Sequence, residues 1–172
     1  LVNPDTVILK TRHKDRGVEF KTLKLFRDLA KAVSPPPVLT VSQWADRYRR
    51  LSPESAAEPG QWNTDRAPYQ REIMDCVNDP LVEHVVIMSS AQVGKTELIL
   101  NIIGYYIDYD PAPMLIVQPT LKPMAEDFSK DRLAPMIRDT PTISGKVHDV
   151  KSRNSGNTIL HKTFPGGHVT IA

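Results

Sequence analysis

A chain of 172 residues, 40% of them hydrophobic, can form one packed domain with an appendage. It has no apolar run near the ~20 residues of a membrane span, no basic-then-apolar leader, and a single cysteine, Cys76, which excludes an internal disulfide framework and suits a reducing compartment. The net charge of +2 is divided unevenly: residues 1–50 hold 11 Lys/Arg against 5 Asp/Glu (+6) and residues 51–172 hold 11 against 15 (−4), so the basic part is the N-terminal part.

Residues 1–17 mix charges with few apolar side chains and predict a flexible lead-in, apart from a short strand at Val7-Ile8-Leu9. From Val18 to Val33, the residues Phe20, Leu23, Phe26, Leu29, Ala30 and Val33 trace one helical face, with Lys21, Lys24, Arg27, Asp28 and Lys31 on the other. Such a basic face is a solvated surface or a contact for DNA or a protein partner. Ser34-Pro35-Pro36-Pro37 ends the helix, because proline lacks an N–H and disfavours helix in its predecessor. The organisation expected is therefore a basic helical segment, 1–34, ahead of a domain over 35–172.

Ser42 is the expected N-cap of a short helix from Gln43 to Arg50, with Trp44, Ala45 and Tyr48 on its packing side. Residues 51–66 read as irregular. Pro68 to Asn78 predicts a helix with Tyr69, Ile73, Cys76 and Val77 facing inward, where Cys76 is a small core hydrophobe. Tyr69 and Gln70 admit two readings: surface placement, or an aromatic ring and an amide suited to stacking on and hydrogen-bonding a nucleobase.

The most informative stretch is His84 to Leu98. Val85-Val86-Ile87-Met88 predicts a strand, Ser89-Ser90-Ala91-Gln92-Val93-Gly94 a loop, and Lys95-Thr96-Glu97 the start of a helix that places Leu98, Ile99, Ile102, Ile103 and Tyr106 at helical spacing. A strand, a loop ending in Gly-Lys-Thr and a helix form a phosphate-binding unit. Loop N–H groups and the helix N-terminus cradle phosphate, Lys95 reaches the β/γ oxygens, and the Thr96 hydroxyl ligates Mg²⁺. The full motif wants glycine where Ser89 stands, so Gly-Lys-Thr by itself is weak and its strand-helix setting carries the reading. ATP and Mg²⁺ are the cofactors expected, with Ser89 to Thr96, Tyr69 and Gln70 binding and Lys95 acting on the phosphates.

Met114 to Val117 is a second expected strand, parallel to the first through the helical crossover. Leu121 to Arg138 reads as a helix kinked or ended by Pro135. Thr158 to Lys162 and His168 to Ile171 predict a hairpin around Phe164-Pro165-Gly166-Gly167, with both glycines serving the turn. The five histidines lie in different elements without carboxylate or cysteine at ligand spacing, so no side-chain metal site is expected. A start at Leu1 and a stop inside a strand-like run point to a fragment of something longer.

Together, Leu39-Thr40-Val41-Ser42-Gln43-Trp44-Ala45-Asp46-Arg47-Tyr48-Arg49-Arg50-Leu51-Ser52, Pro68-Tyr69-Gln70-Arg71-Glu72-Ile73-Met74, Ser90-Ala91-Gln92-Val93-Gly94-Lys95-Thr96-Glu97, Gln118-Pro119-Thr120 and Asp127-Phe128-Ser129 resemble the N-terminal part of lambda-like (GpA-type) phage terminase large subunits over about residues 35–172. The resemblance implies an α/β, RecA-like P-loop NTPase sheet flanked by helices. It also implies a DNA-packaging ATPase whose partners are double-stranded DNA, a small terminase subunit and the viral portal or prohead, working in the host cytoplasm without a membrane. Such enzymes place an Asp-Glu pair after a later core strand to bind Mg²⁺ and orient water. Asp108 and Asp110 stand in the wrong place for it, so this pair and the family's nuclease domain are expected beyond Ala172, and the fragment alone is expected to be inactive. An arginine common before the loop's Gly-Lys-Thr is absent, with Ala91 and Gln92 at those positions. A superfamily-2-like helicase or translocase core shares the aromatic-Gln, loop and strand-Pro-Thr layout and is the alternative.

Overall fold

The computed structural model describes residues 22–29, 38–54, 56–147 and 157–172. The chain divides into two units, Leu1–Val38 and Leu39–Ala172, each described by itself. In the first, residues 22–29 form helix α1, along which Leu23, Phe26 and Leu29 are exposed. The strand expected at Val7-Ile8-Leu9, the rest of the basic helix and the Ser34–Pro37 boundary lie outside the described residues.

The second unit is mixed α/β and is built around one buried helix. Helix α2 (Val41–Tyr48) is capped by Thr40 rather than Ser42. The Thr40 side chain accepts from the Gln43 N–H while the Gln43 side chain accepts from the Thr40 N–H, a reciprocal capping box. Ser42 is instead tied to Asp75, its N–H and hydroxyl donating to the two carboxylate oxygens at 2.9 and 2.8 Å. The stretch expected to be irregular contains an antiparallel pair of two-residue strands, β1 (Arg50–Leu51) and β2 (Gly60–Gln61), and a 3₁₀ turn at Thr64–Arg66.

Helix α3 (Tyr69–Asp75) continues as a 3₁₀ turn over Cys76–Asn78. Its buried side chains are Gln70 and Met74, an i,i+4 pair, whereas Tyr69 is exposed and Ile73, Cys76 and Val77 are half-buried. The helix is thus rotated from the inward face expected, and Gln70 points where Tyr69 was placed. Helix α4 (Lys95–Asp108) is the core element, burying Leu98, Leu100, Ile103, Tyr105 and Ile107. Gly104 lies under the Trp44 ring, and the Tyr105 and Tyr106 hydroxyls donate to the Leu39 and Val77 carbonyls at 3.1 and 3.2 Å, fastening the flanking segments to α4.

The sheet has the order β3-β5-β4, with β3 (Met114–Ile116) parallel to β5 (Gly167–Ile171) and β5 antiparallel to β4 (His161–Phe164). Val85 to Met88, expected as the strand parallel to Met114–Val117, forms no ladder. A strand exists only by pairing with a neighbour, and β3 pairs on one edge alone, with β5, leaving 85–88 unladdered and Val86 and Met88 91% and 97% exposed.

The helix expected from Leu121 to Arg138 is segmented. A wide turn at Leu121–Ala125 contains non-helical Lys122, and a second wide turn at Phe128–Leu133 runs into α5 (Ala134–Asp139). Pro135 falls in the first turn of α5, where a missing N–H leaves no helical bond unmade. Helix α6 (Pro141–Ser144) follows. In the hairpin Gly166 adopts φ +89°, as the turn requires. Gly167 has another reason: a Cβ there would stand 2.7 Å from the Ala112 carbonyl oxygen and from the Phe164 ring. No helix among the described residues is long and apolar enough to cross a membrane.

Candidate nucleotide-binding site

Residues 89–94 form a loop that hands directly into α4 at Lys95. Gln92 (φ 61°) and Gly94 (φ 81°) are left-handed, with Val93 between them on the ordinary side. This alternation turns successive N–H groups toward a common concavity, a conformation that gathers anions. No side chain caps the N-terminus of α4, so its first-turn amides and the positive end of its dipole remain available to a ligand. The Lys95 ammonium folds back over the loop, donating to the carbonyls of Ser90 at 2.5 Å and Ser89 at 3.5 Å.

Tyr69 and Gln70 meet this loop. The Tyr69 hydroxyl and the Gln70 amide nitrogen both donate to the Val93 carbonyl, at 2.8 and 2.9 Å. Gln70 Oε1 is buried and has no hydrogen-bond partner among the described residues. A cleft of about 310 Å³ opens here, lined by Tyr69, Gln70, Ile73, Ile87, Val93 and Lys95 among others. Its walls are mostly apolar, with an unused amide acceptor, which suits a flat heteroaromatic group carrying an N–H donor.

Thr96 faces a different cavity. With Gln118, Asp127, Lys130, Asp131 and Arg132 it lines a cleft of about 710 Å³ beyond the C-terminal end of β3. Gln118 is held there because its N–H donates to the Ala172 carbonyl at 2.7 Å, extending the β3–β5 ladder. The loop therefore has an apolar cleft on the Gln70 side and a charged one on the Thr96 side. These two surroundings match a base and a hydrated metal–phosphate end. Thr96 offers a hydroxyl oxygen of the kind that ligates a divalent cation, and Lys95 a positive charge of the kind that pairs with phosphate.

Tyr69, Gln70, Ser89, Val93 and Lys95 share the apolar cleft, Thr96 lines the charged one, and Ser90 to Gly94 complete the loop between them. The polar wall formed by Asp127, Asp131 and Arg132 was not predictable as part of the site, because only the path of the chain after β3 carries it back to Thr96. Asp108 lies at the opposite end of α4, where its carboxylate accepts from Trp44 Nε1 at 2.7 Å and pairs with Lys146 at 2.7 Å, a structural role.

Residues 56–172 match the family described as "Phage terminase large subunit gpA, ATPase domain". Among curated proteins, the chain is 35% identical over 139 residues to the terminase large subunit of Enterobacteria phage P21 and 33% identical over 132 residues to that of Escherichia phage lambda. These matches cover 81% and 77% of this chain but only 21% and 20% of the relatives, so the chain spans about a fifth of their length. No solved structure matches.

Proposed function

The chain belongs to the phage terminase large subunit gpA ATPase-domain family, and from that premise we propose that residues 89–96 bind the phosphates of ATP·Mg²⁺ within a RecA-like P-loop domain of a motor that packages double-stranded DNA. The single observation that carries the nucleotide reading is the uncapped start of α4, with Lys95 folded over a loop whose backbone alternates in hand.

In this reading Ser89 to Gly94 surround the phosphates, Lys95 leaves the Ser90 carbonyl for the β/γ oxygens, and Thr96 ligates the metal. Gln70 Oε1 accepts from the adenine amino group in the apolar cleft and Tyr69 lies beside the base. Mg²⁺ supplies charge neutralisation between the β- and γ-phosphates when bound. The segment 85–88, which forms no ladder, leads into the loop.

The relatives are described as terminase large subunits of two phages, and the reading extends to the whole protein as a motor that moves duplex DNA with a small subunit and the portal as partners in the host cytoplasm. The basic N-terminal residues 1–34 then contact DNA phosphates without sequence preference, or dock a partner. In the whole protein, phosphate release should rise with linear duplex DNA and vanish in Lys95→Ala. Release that ignores both DNA and Lys95 contradicts the motor reading, and strand separation of a forked duplex would favour the helicase alternative.

A further inference from the structure

The segment around Tyr48-Arg49-Arg50-Leu51-Ser52 takes no part in the chemistry above, yet it contains one of the most buried charges among the described residues. Arg49 is 1% exposed. Its Nη2 donates to Glu97 Oε2 at 2.9 Å and its Nη1 to the Arg50 carbonyl, while Nε is buried without a partner among the described residues. Burial pulls the guanidinium's affinity for its proton down, and the nearby Glu97 and then Asp139 push it back up. Glu97, 17% exposed, is the residue directly after Thr96 in the first turn of α4.

Stability is a poor account of such a pair. Removing two charges from water costs about as much as their attraction returns, and apolar side chains of similar volume often serve a fold as well or better. What an ion pair supplies and an apolar pair does not is direction, since the planar guanidinium fixes where the carboxylate must sit. A second tie reaches the far end of the same helix: Trp44, on α2, donates from Nε1 to Asp108, the last residue of α4, and its ring lies against Gly104. Residues 44–49 thus hold α4 at both ends.

Resting on the nucleotide reading above, we propose that Arg49 is a positioning residue for the phosphate-binding loop: through Glu97 it sets the orientation of the first turn of α4, and with it the placement of Lys95 and Thr96. Arg49 touches no ligand. Its effect is on how well ordered the anion cradle is before phosphate arrives, which raises affinity by lowering the ordering cost of binding.

The test replaces the whole pair in the full chain, Arg49→Met with Glu97→Met, keeping length and burial while removing direction. The variant is expected to unfold at or above the parent's Tm. Without nucleotide, amide hydrogen exchange at residues 98–101, whose N–H groups bond to the carbonyls of residues 94–97, should rise about tenfold over the parent while residues 102–107 stay unchanged. Mg·ATP affinity by calorimetry should fall by about tenfold. Arg49→Lys, which keeps the charge but not the planar fork, should fall between the two. Parent-like exchange and parent-like affinity in a folded double variant would overturn the proposal, as would failure of that variant to fold, either result making the pair structural only. If the parent itself binds no Mg·ATP, the nucleotide reading fails, and the exchange measurement still decides whether Arg49 orders the loop.

Discussion

Gln70 occupies the space that a side chain on Gly94 would need: a Cβ at residue 94 would stand 2.6 Å from Gln70 Nε2, the atom that donates to the Val93 carbonyl. Gly94 also sits at φ +81°. Gly94→Ala therefore meets a left-handed backbone cost of about 1 kcal/mol or more and a displaced Gln70. A loss of about 1–3 kcal/mol in denaturant unfolding and a loss of Mg·ATP binding are expected. Parent stability with parent binding would mean that the loop rearranges freely and that its backbone conformation is not what holds phosphate.

Gly104 makes a similar prediction in the core. A Cβ there would lie 2.4 and 2.8 Å from atoms of the Trp44 ring and 3.3 Å from Ile143 Cδ1. The rigid, fully buried indole cannot give way, so Gly104→Ala should destabilise by about 1–3 kcal/mol despite alanine's better helix propensity. Gly145 has nothing within 4 Å and a right-handed backbone. Gly145→Ala should be neutral or stabilise by up to about 1 kcal/mol. Thermal or urea unfolding of the two variants side by side checks both signs.

Among the described residues, Asn101, buried in the middle of α4, finds only Met74 Sδ for its Nδ2 at 3.5 Å, and its Oδ1 has no partner. A buried amide so poorly satisfied costs more than it returns. Asn101→Leu, with the same branching and number of heavy atoms, is expected to raise stability by about 1 kcal/mol. Destabilisation would show that the amide makes a bond beyond those seen here.

The parts of this architecture legible in the sequence are those with local signatures. Gly-Lys-Thr after an apolar run located the loop and α4, a short run between prolines located β3, and Pro165-Gly166 located the hairpin turn. What was not legible depends on distant partners. Val85 to Met88 has a strand's composition but lacks a neighbouring strand to make it one. The inward face of α3 is decided by distant packing: Gln70 and Met74 are buried, while Tyr69 is exposed although its hydroxyl also reaches Val93. Arg49 meets Glu97 across 48 residues, and no periodicity announces that pairing. Gly167 looked like a turn residue, and only the approach of the Ala112 backbone shows why a side chain is excluded there. Tyr69 and Gln70 were legible through side-chain chemistry and their place one helix ahead of the loop, with family likeness added to that.

Acid should weaken the fold partly through Asp139. Two hydrogen bonds from Arg138, at 2.8 and 2.9 Å, hold its carboxyl below the ordinary carboxylate range, with a smaller contribution from Ser52. The native state therefore holds this proton less readily than the unfolded chain does. The contribution is complete above the unfolded value of about 3.9 and is lost as pH falls through the lower, folded value. Asp139→Asn should flatten the decline of Tm below about pH 4. The decline should not disappear, because Glu126 is also depressed, first by Lys130 and then by Lys122, and acts in the same window. An unchanged slope would remove Asp139 from the account.

The central claim is that residues 89–96, with Tyr69 and Gln70, form a nucleotide site, and calorimetric titration of Mg·ATP into the chain and its Lys95→Ala variant tests it most directly. Lys95 is half-buried and, among the described residues, its ammonium bonds to the Ser89 and Ser90 carbonyls, so the substitution should change Tm little. Saturable binding to the parent and at least a tenfold loss in Lys95→Ala are predicted. Absence of binding to the folded parent, or equal affinity in both proteins, would contradict the account.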